Sequence, residues 1–532
     1  MRLASLRIEG YSGIRSASLE LEPDITAVIG ENDSGKRRLL EALDAVLGGE
    51  PDRGPPVLGS PARVELGFEE REPGEWSAAD YAPLHGLLGA AGQEPRRLTL
   101  EAGDGGWALV GAAGTGSSEP GLLTWLRRRN PVFSLRRGTW GEDRAWSGPA
   151  EVKPLVDEVV RCASDLLEGR AADPEREVER GFAAAAEVIE RAQRHLDPQR
   201  PALHPVVVEV MGHLGVGSPL EAGPVGSGTS AERMGVLFVV AGLLKEIGRP
   251  IEPGAEPILV VEDLEAYMHV MTLAAAMRLV AQIRWQRILT TESTALLGEI
   301  PIRNVRRLVR YEDTVYESRI DPGTLSPTDL RRVTYHLRER RGQAMFARCW
   351  LLVEGESEAW LLPELARLCG YEFAQEGIAL VEYAQAGLSP AIRTATGLGI
   401  EWHVLTDGDE AGEIYRALAE SHAGADPPAL RVTALEEPDL ELFLWHHGYD
   451  EVYKTVARVG PLSSAAMTPR RIIRRAIENA SKPMLALEVL SAIAQRGEEG
   501  VPAPLRELIE TCVALAREAP ARRAAAVSPG RP

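Results

Sequence analysis

Residues 349–358 read Cys-Trp-Leu-Leu-Val-Glu-Gly-Glu-Ser-Glu, and residues 401–409 read Glu-Trp-His-Val-Leu-Thr-Asp-Gly-Asp. Each opens as an apolar run of strand length and closes in a turn loaded with carboxylates. With a third run, Gly-Ile-Ala-Leu-Val-Glu-Tyr-Ala (377–384), and amphipathic helical stretches between them, they predict a parallel, Rossmann-like sheet. In such sheets ligands meet the C-terminal ends of the strands. Glu354 at a strand end and Glu358 one helical turn later can converge on a divalent cation, with Gly355 easing the strand-to-helix turn. Asp407 and Asp409 would then stand beside them. Oxygen donors without a Cys/His set point to Mg2+ or Mn2+ rather than zinc. Either turn alone is a common surface feature of acidic proteins; the two together, in this order, carry the reading.

These segments resemble the two motifs of Toprim domains, which serve topoisomerases, primases, recombination proteins and nucleases, so the fold alone does not name the reaction. Their flanks narrow the choice. Leu435–Trp445 (LEEPDLELFLW) resembles the acid-bearing segment that follows Toprim in the OLD (overcoming lysogenization defect) nucleases. That resemblance makes Glu441 the first candidate for a second-metal ligand and Glu437 the next. Ser481-Lys482-Pro483-Met-Leu-Ala486 resembles the KPxxA segment whose lysine the family uses in catalysis. The resemblance thus implies Glu354, Asp407, Asp409 and Lys482 as catalytic residues around two cations, with Lys482 neutralising charge on the scissile phosphate. A solvent-exposed lysine opening a helix is the alternative.

Toward the N-terminus, Gly30-Glu-Asn-Asp-Ser-Gly35-Lys36 fits GxxxxGK between an apolar strand, DITAVIG, and a helix, KRRLLEALDAVL. Backbone N–H groups of the loop around Gly30, Asn32, Ser34 and Gly35 would cradle phosphates, and Lys36 would reach the outer ones. Lysine is scarce, at Lys36, Lys153, Lys245, Lys454 and Lys482, which gives both motif lysines weight. A second strand, 258–261, ends in Glu262 and Asp263, suited to hold Mg2+ through water and to orient an attacking water. Between them Gly226-Ser227-Gly228-Thr229 precedes a helix and resembles the signature loop of ABC-type ATPases.

The order of these parts resembles the RecF/SMC-like ATPase of OLD nucleases, with three departures. Arg37 replaces the Mg2+-ligating hydroxyl, Asp263 is shorter than the usual glutamate, and Glu292 in Thr-Thr-Glu-Ser replaces the switch histidine. A carboxylate about 4 Å from a phosphate charge costs roughly 4 kcal/mol at an effective dielectric near 20. ATP is therefore left open as a ligand while its efficient turnover is disfavoured. The opposite charges of Arg37 and Glu292 predict an ion pair that shuts the pocket; the alternative is that arginine takes over part of the cation's work.

The bulk properties agree. At 532 residues the chain exceeds one core, and 44% hydrophobic with 26% charged residues is ordinary for a globular protein. No apolar run is long enough to span a bilayer and the N-terminus alternates like a strand, so membranes are excluded and a cytoplasmic location is expected. Cys162, Cys349, Cys369 and Cys512 form no CxxC pair and read as buried thiols. The net charge of −19 opposes coating of nucleic acid, yet Arg clusters at 127–129, 136–137, 331–341 and 470–475 could each form a phosphate-binding strip or merely a solvated face.

The expected architecture is α/β. It comprises an ABC-type ATPase domain over 1–335 with a helical insertion at about 151–200, a Toprim domain over 346–450, and a helical extension over 451–532 with a frayed tail. The insertion, broken near Asp173-Pro174, could pair subunits or bracket its own domain, and strand-like sequence resumes at Val206–Val210. Two functions compete. One is a metal-dependent DNA endonuclease, assembled as a homodimer or higher homo-oligomer, with phage defence or DNA processing implied by the family and an unidentified protein partner left open. The other is a nucleotide-gated DNA sensor or clamp whose Toprim acids are structural.

Overall fold

A computed structural model of the chain describes residues 1–48, 62–84, 95–103, 106–110, 120–136, 149–194, 229–246, 249, 251–252, 254–266, 268–339, 342–460 and 466–527. It divides into two compact units, 1–296 with 304–317, and 297–303 with 318–532.

The first unit is built on strands β1 (Arg2–Tyr11), β2 (Ile14–Glu20), β3 (Ile25–Gly30), β4 (Arg63–Glu69), β5 (Arg96–Gly103) and β6 (Gly106–Val110). It continues with β7 (Val132–Leu135), β8 (Ile258–Glu262), β9 (Gln286–Thr290), β10 (Val305–Tyr311) and β11 (Thr314–Ser318). They form one sheet in the order β6-β5-β4-β1-β2-β11-β10-β3-β9-β8-β7. The β6 to β2 wing is antiparallel, and the run β10-β3-β9-β8-β7 is parallel. Strand polarity follows burial: the wing strand β2 alternates, whereas the central β3 and β8 are apolar almost throughout, as strands covered on both faces must be.

Helix α1 (Lys36–Leu47) follows β3. Its Leu39, Leu40, Leu43, Val46 and Leu47 recur at helical spacing and are buried in the core with Leu6, Ile8, Leu66 and Phe68. The insertion forms two helices, Lys153–Leu167 and Pro174–Arg194, separated at the expected break. Their buried stripes, Val156, Val159 and Leu166 on one and Val178, Phe182 and Ile189 on the other, face a third helix, Ser230–Leu244, of the same unit. A Cβ on Gly181 would lie 2.7 Å from Leu237 Cδ2, so the helices approach closely there. The segment Val206–Val210 and the signature-like loop with Ser227 and Gly228 lie outside the described residues.

The second unit carries a four-stranded parallel sheet, β13-β12-β14-β15, from β12 (Cys349–Val353), β13 (Ile378–Glu382), β14 (Glu401–Thr406) and β15 (Val432–Ala434). The polar helix Pro327–Glu339, which straddles the expected domain boundary at 335, lies in this unit and packs on helices Tyr383–Ala386 and Leu388–Gly397. Nor is the helical extension a separate layer. Leu505, Leu508, Ile509 and Cys512 share one core with Cys349, Leu351 and Val353 of β12. Helix Ala503–Val527 extends into the expected tail, of which residues 528–532 lie outside the described residues. On this helix Arg517 pairs with Glu376 and Arg522 with Asp426, at 2.6 and 2.7 Å. Cys162, Cys349 and Cys512 are buried free thiols, and Cys369 is half-buried. Among the described residues no helix is long and apolar enough to cross a membrane.

Candidate metal centre and nucleotide site

Neighbouring parallel strands β12 and β14 deliver the two acidic turns side by side at their C-terminal ends. Glu354 follows β12 directly, and helix Glu356–Leu368 begins after it. Gly355 has ordinary extended torsions, φ −147° and ψ −164°, so the turn does not require glycine there, contrary to expectation. Gly408 does answer a demand. A Cβ on it would lie 2.5 Å from the Leu435 carbonyl oxygen and 2.8 Å from that of Glu437, while its N–H donates to the latter at 2.9 Å. The bare backbone thereby docks the 435–437 segment against the Asp407 turn and brings the following acids in.

Those acids gather around Asp407. Burial raises its pKa to about 8, helped by repulsion from Glu358, Glu354, Asp439 and Glu441. Glu354 is also raised, by burial and then by the charge on Asp409, against the pull of Lys482. Glu358 and Glu441 are buried, at 8% and 7% exposure. Lys482 Nζ lies 3.2 Å from Glu441 Oε1. Burial lowers the Lys482 pKa, but Glu441, Glu358 and Asp439 together outweigh it and the net shift is upward. A cation at the first position of a helix opposes the helix dipole, so this pairing, not helix preference, holds it.

Three of the acids also have local structural duties. Glu358 Oε2 accepts the Gly355 N–H at 3.2 Å, and Asp409 caps helix Glu410–His422 by accepting the Gly412 N–H at 2.7 Å. Asp439, which no motif singled out, caps Leu440–Leu444 through the Leu442 N–H at 2.7 Å. Its cap position, between a proline and an apolar helix, was the available signal. Glu437 turns elsewhere, its Oε1 lying 2.6 Å from His446 Nδ1. The donor set, all carboxylate and mutually repelling, fits a hard divalent cation in chemistry. Among the described residues, however, no three such side chains stand close enough to hold an ion as placed.

In the first unit, the GxxxxGK loop joins β3 to α1 with Gly35 at φ 98°, where a Cβ would meet Val315 Cγ2 at 2.8 Å. Lys36 is buried. Its ammonium donates to the Gly30 carbonyl, to the Glu31 carbonyl at 3.2 Å, and to Glu292 Oε1 at 3.2 Å. Asn32 is an exposed residue of the loop, and the Ser34 hydroxyl is buried without a hydrogen-bond partner. The predicted Arg37–Glu292 pair is not made. Arg37 Nε lies 2.8 Å from Glu41 Oε1 and 3.9 Å from Glu262 Oε1, since the first helical turn aims it along α1 toward the end of β8. Asp263, at φ 45°, accepts the Thr290 hydroxyl at 2.8 Å. Glu265, which no sequence pattern marked, accepts the Thr291 hydroxyl at 2.7 Å and the Glu292 and Ser293 N–H groups, fixing the turn that presents Glu292.

Comparison with known proteins places these parts. Residues 345–409 match the family described as overcoming lysogenization defect protein-like, TOPRIM domain. Residues 1–62 match an AAA ATPase domain, and residues 225–344 a family described as a protein of unknown function. The C-terminal region of the Xanthomonas campestris pv. campestris OLD protein is similar at 20% identity over 33% of this chain and 97% of that one, with a TM-score of 0.27. The SMC head domain from Thermotoga maritima is similar at 13% identity over 60% of this chain and 100% of that one, with a TM-score of 0.30. The uncharacterized protein YbjD of Escherichia coli (strain K12) is 33% identical over 571 residues, covering 97% of this chain and 99% of the relative. The chain therefore belongs to the family of YbjD, and it is an OLD-type fusion of an ATPase domain with a Toprim domain.

Proposed function

We propose that this chain is a Mg2+- or Mn2+-dependent DNA endonuclease that hydrolyses phosphodiesters at its Toprim acids. The observation that carries the reading is Asp407, half-buried beside the four carboxylates of Glu354, Glu358, Asp439 and Glu441. Such a cluster is costly unless positive charge is brought to it. Glu354, Asp407 and Asp409 would hold one cation, and Glu358 with Glu441 a second. Divalent ions there would supply a Lewis acid and an activated water. Lys482 holds Glu441 in place and sets a positive charge where a scissile phosphate would gather negative charge.

A strip for the substrate lies in the same unit. Helix Pro469–Asn479 buries Ile472, Ile473 and Ala476 and exposes Arg470, Arg471, Arg474 and Arg475. Among the described residues none of the four pairs with a carboxylate, which leaves them for phosphates. In the first unit, Arg37 and the engagement of Asp263 by Thr290 support impaired ATP hydrolysis. Homodimerisation, phage defence and a cytoplasmic location rest on the family resemblance and on the sequence.

One observation favours a DNA sensor or clamp instead: Glu358 and Asp409 each serve a helix start. Asparagine caps a helix as well as aspartate does but brings no charge. Plasmid incubated with Mn2+ and wild-type or Asp409→Asn protein of equal thermal stability separates the two. Cleavage lost in the variant supports the nuclease; equal cleavage, or none by wild type, removes it.

A further inference from the structure

We propose that the nucleotide site of this chain takes the triphosphate of a nucleotide without Mg2+, with Arg37 and Arg136 standing on Glu262 where the cation would sit and Glu292 competing with phosphate for Lys36. The proposal is independent of the nuclease reading, because it concerns only residues of the first unit.

In a magnesium-dependent P-loop the residue after the lysine offers a hydroxyl to the ion, and the acid at the end of the second strand holds it from the other side. Neither partner is available here. Arg37 occupies the hydroxyl position. Both oxygens of Glu262 face guanidinium groups, Arg37 Nε at 3.9 Å from Oε1 and Arg136 Nη1 at 3.9 Å from Oε2. The Arg136 group is pinned by Asp44, Nη2 to Oδ2 at 2.6 Å, and the side chains of Arg136 and Glu262 are 17% and 11% exposed. Arg37, which also lies 2.8 Å from Glu41 Oε1, and the pinned Arg136 take up both oxygens of Glu262, and a dication would have to displace them to reach that carboxylate. The residues present do not fit Mg2+.

They do fit a phosphate chain. Lys36 offers positive charge at the start of α1, whose N–H groups add their own, and Arg37 and Arg136 add charge beside Glu262 at the end of β8. The Ser34 hydroxyl, 3% exposed and without a partner, lies at the Gly30 turn of the loop, where it can serve a ligand oxygen. What holds the place of phosphate now is Glu292: its carboxylate sits 3.2 Å from the Lys36 ammonium. Glu265 fixes this placement through the backbone N–H groups of Glu292 and Ser293. Glu292 is 52% exposed, so it can swing into solvent when a stronger anion arrives. Arginine charges replacing a metal also explain why the second acid, Asp263, can be spent on Thr290. A site that holds no ion has no metal-bound water for that acid to orient.

The test is equilibrium dialysis of radiolabelled ATP against the full-length protein, in EDTA and in excess Mg2+, with Lys36→Ala measured alongside to subtract ATP held elsewhere. Lys36-dependent affinity is expected to be about tenfold or more weaker in excess Mg2+ than in EDTA, because Mg2+ sequesters the free triphosphate that the site takes. Removal of the competing charge in Glu292→Gln should tighten binding about five- to tenfold in EDTA, and Arg37→Ser should abolish the weakening by Mg2+. Wild-type binding as tight or tighter in Mg2+ would overturn the proposal. So would the absence of Lys36-dependent ATP binding in both the wild type and Glu292→Gln. Neither outcome touches DNA cleavage, which is read in a separate assay.

Discussion

Lys482 Nζ stands 3.2 Å from Glu441 Oε1 at the edge of the acidic cluster around Asp407. The lysine therefore has two effects that one substitution separates. In Lys482→Met, DNA cleavage should fall about 100-fold, the usual cost of losing one group that stabilises transition-state charge. With the side chain 56% exposed, the loss of the ion pair itself should cost under about 1 kcal/mol of stability. Cleavage rates and melting curves on the same preparation check both, and a large Tm drop with unchanged cleavage would leave Lys482 a structural residue.

Asp407→Asn should trade activity for stability. The amide keeps the shape and removes the one carboxylate that burial and four neighbours all disfavour. The metal-free variant should gain on the order of 2 kcal/mol over wild type, while Mn2+ should raise the Tm of wild type and leave that of the variant nearly unchanged. Differential scanning calorimetry with EDTA or Mn2+ reads this directly.

The arginine strip predicts a salt effect. Replacing Arg470, Arg471, Arg474 and Arg475 by alanine should weaken DNA binding and flatten the slope of log K against log salt by about 2 to 4, in proportion to the number of phosphates no longer neutralised. Because Ile472, Ile473 and Ala476 keep the helix docked, the Tm should hardly move. Fluorescence anisotropy over a salt series supplies the slope.

His403 gives the fold a pH dependence of its own. It lies fully buried in β14, with Nδ1 2.9 Å from the Leu430 carbonyl and Nε2 2.9 Å from the Thr433 hydroxyl, and burial lowers its pKa to about 4. The unfolded chain takes up the proton near pH 6.5, whereas the folded chain stays neutral down to about 4. Stability is thus full above about pH 6.5 and is lost as pH falls toward 4, at about 1.4 kcal/mol per unit. His403→Gln should be less stable at pH 7, with the gap narrowing by about 2 kcal/mol at pH 5. Denaturant melts at the two pH values measure it.

The sequence carried the four carboxylates because strand, turn and acid are local patterns, and their strand ends do become neighbours in the sheet. It also carried the strand–loop–helix of the GxxxxGK segment and the break between the insertion helices. What it hid was set by long-range partners. Which cation Glu292 meets depends on how β9 lies beside β3, and that register gives it Lys36 rather than Arg37. Glu265 and Arg136 acquire roles only when strands distant in sequence are brought together, so no local spacing marks them. The unit boundary before Pro327–Glu339 was hidden for the same reason: a polar helix reveals its partners only in three dimensions.

If the Toprim acids hold cations that cleave DNA, plasmid incubated in Mn2+ with wild-type protein should give nicked or linear product, lost on adding EDTA, and Asp407→Asn protein that is folded and binds DNA as tightly should give none. Equal product from the two proteins, or no product from wild type, would show that these acids do not cleave DNA.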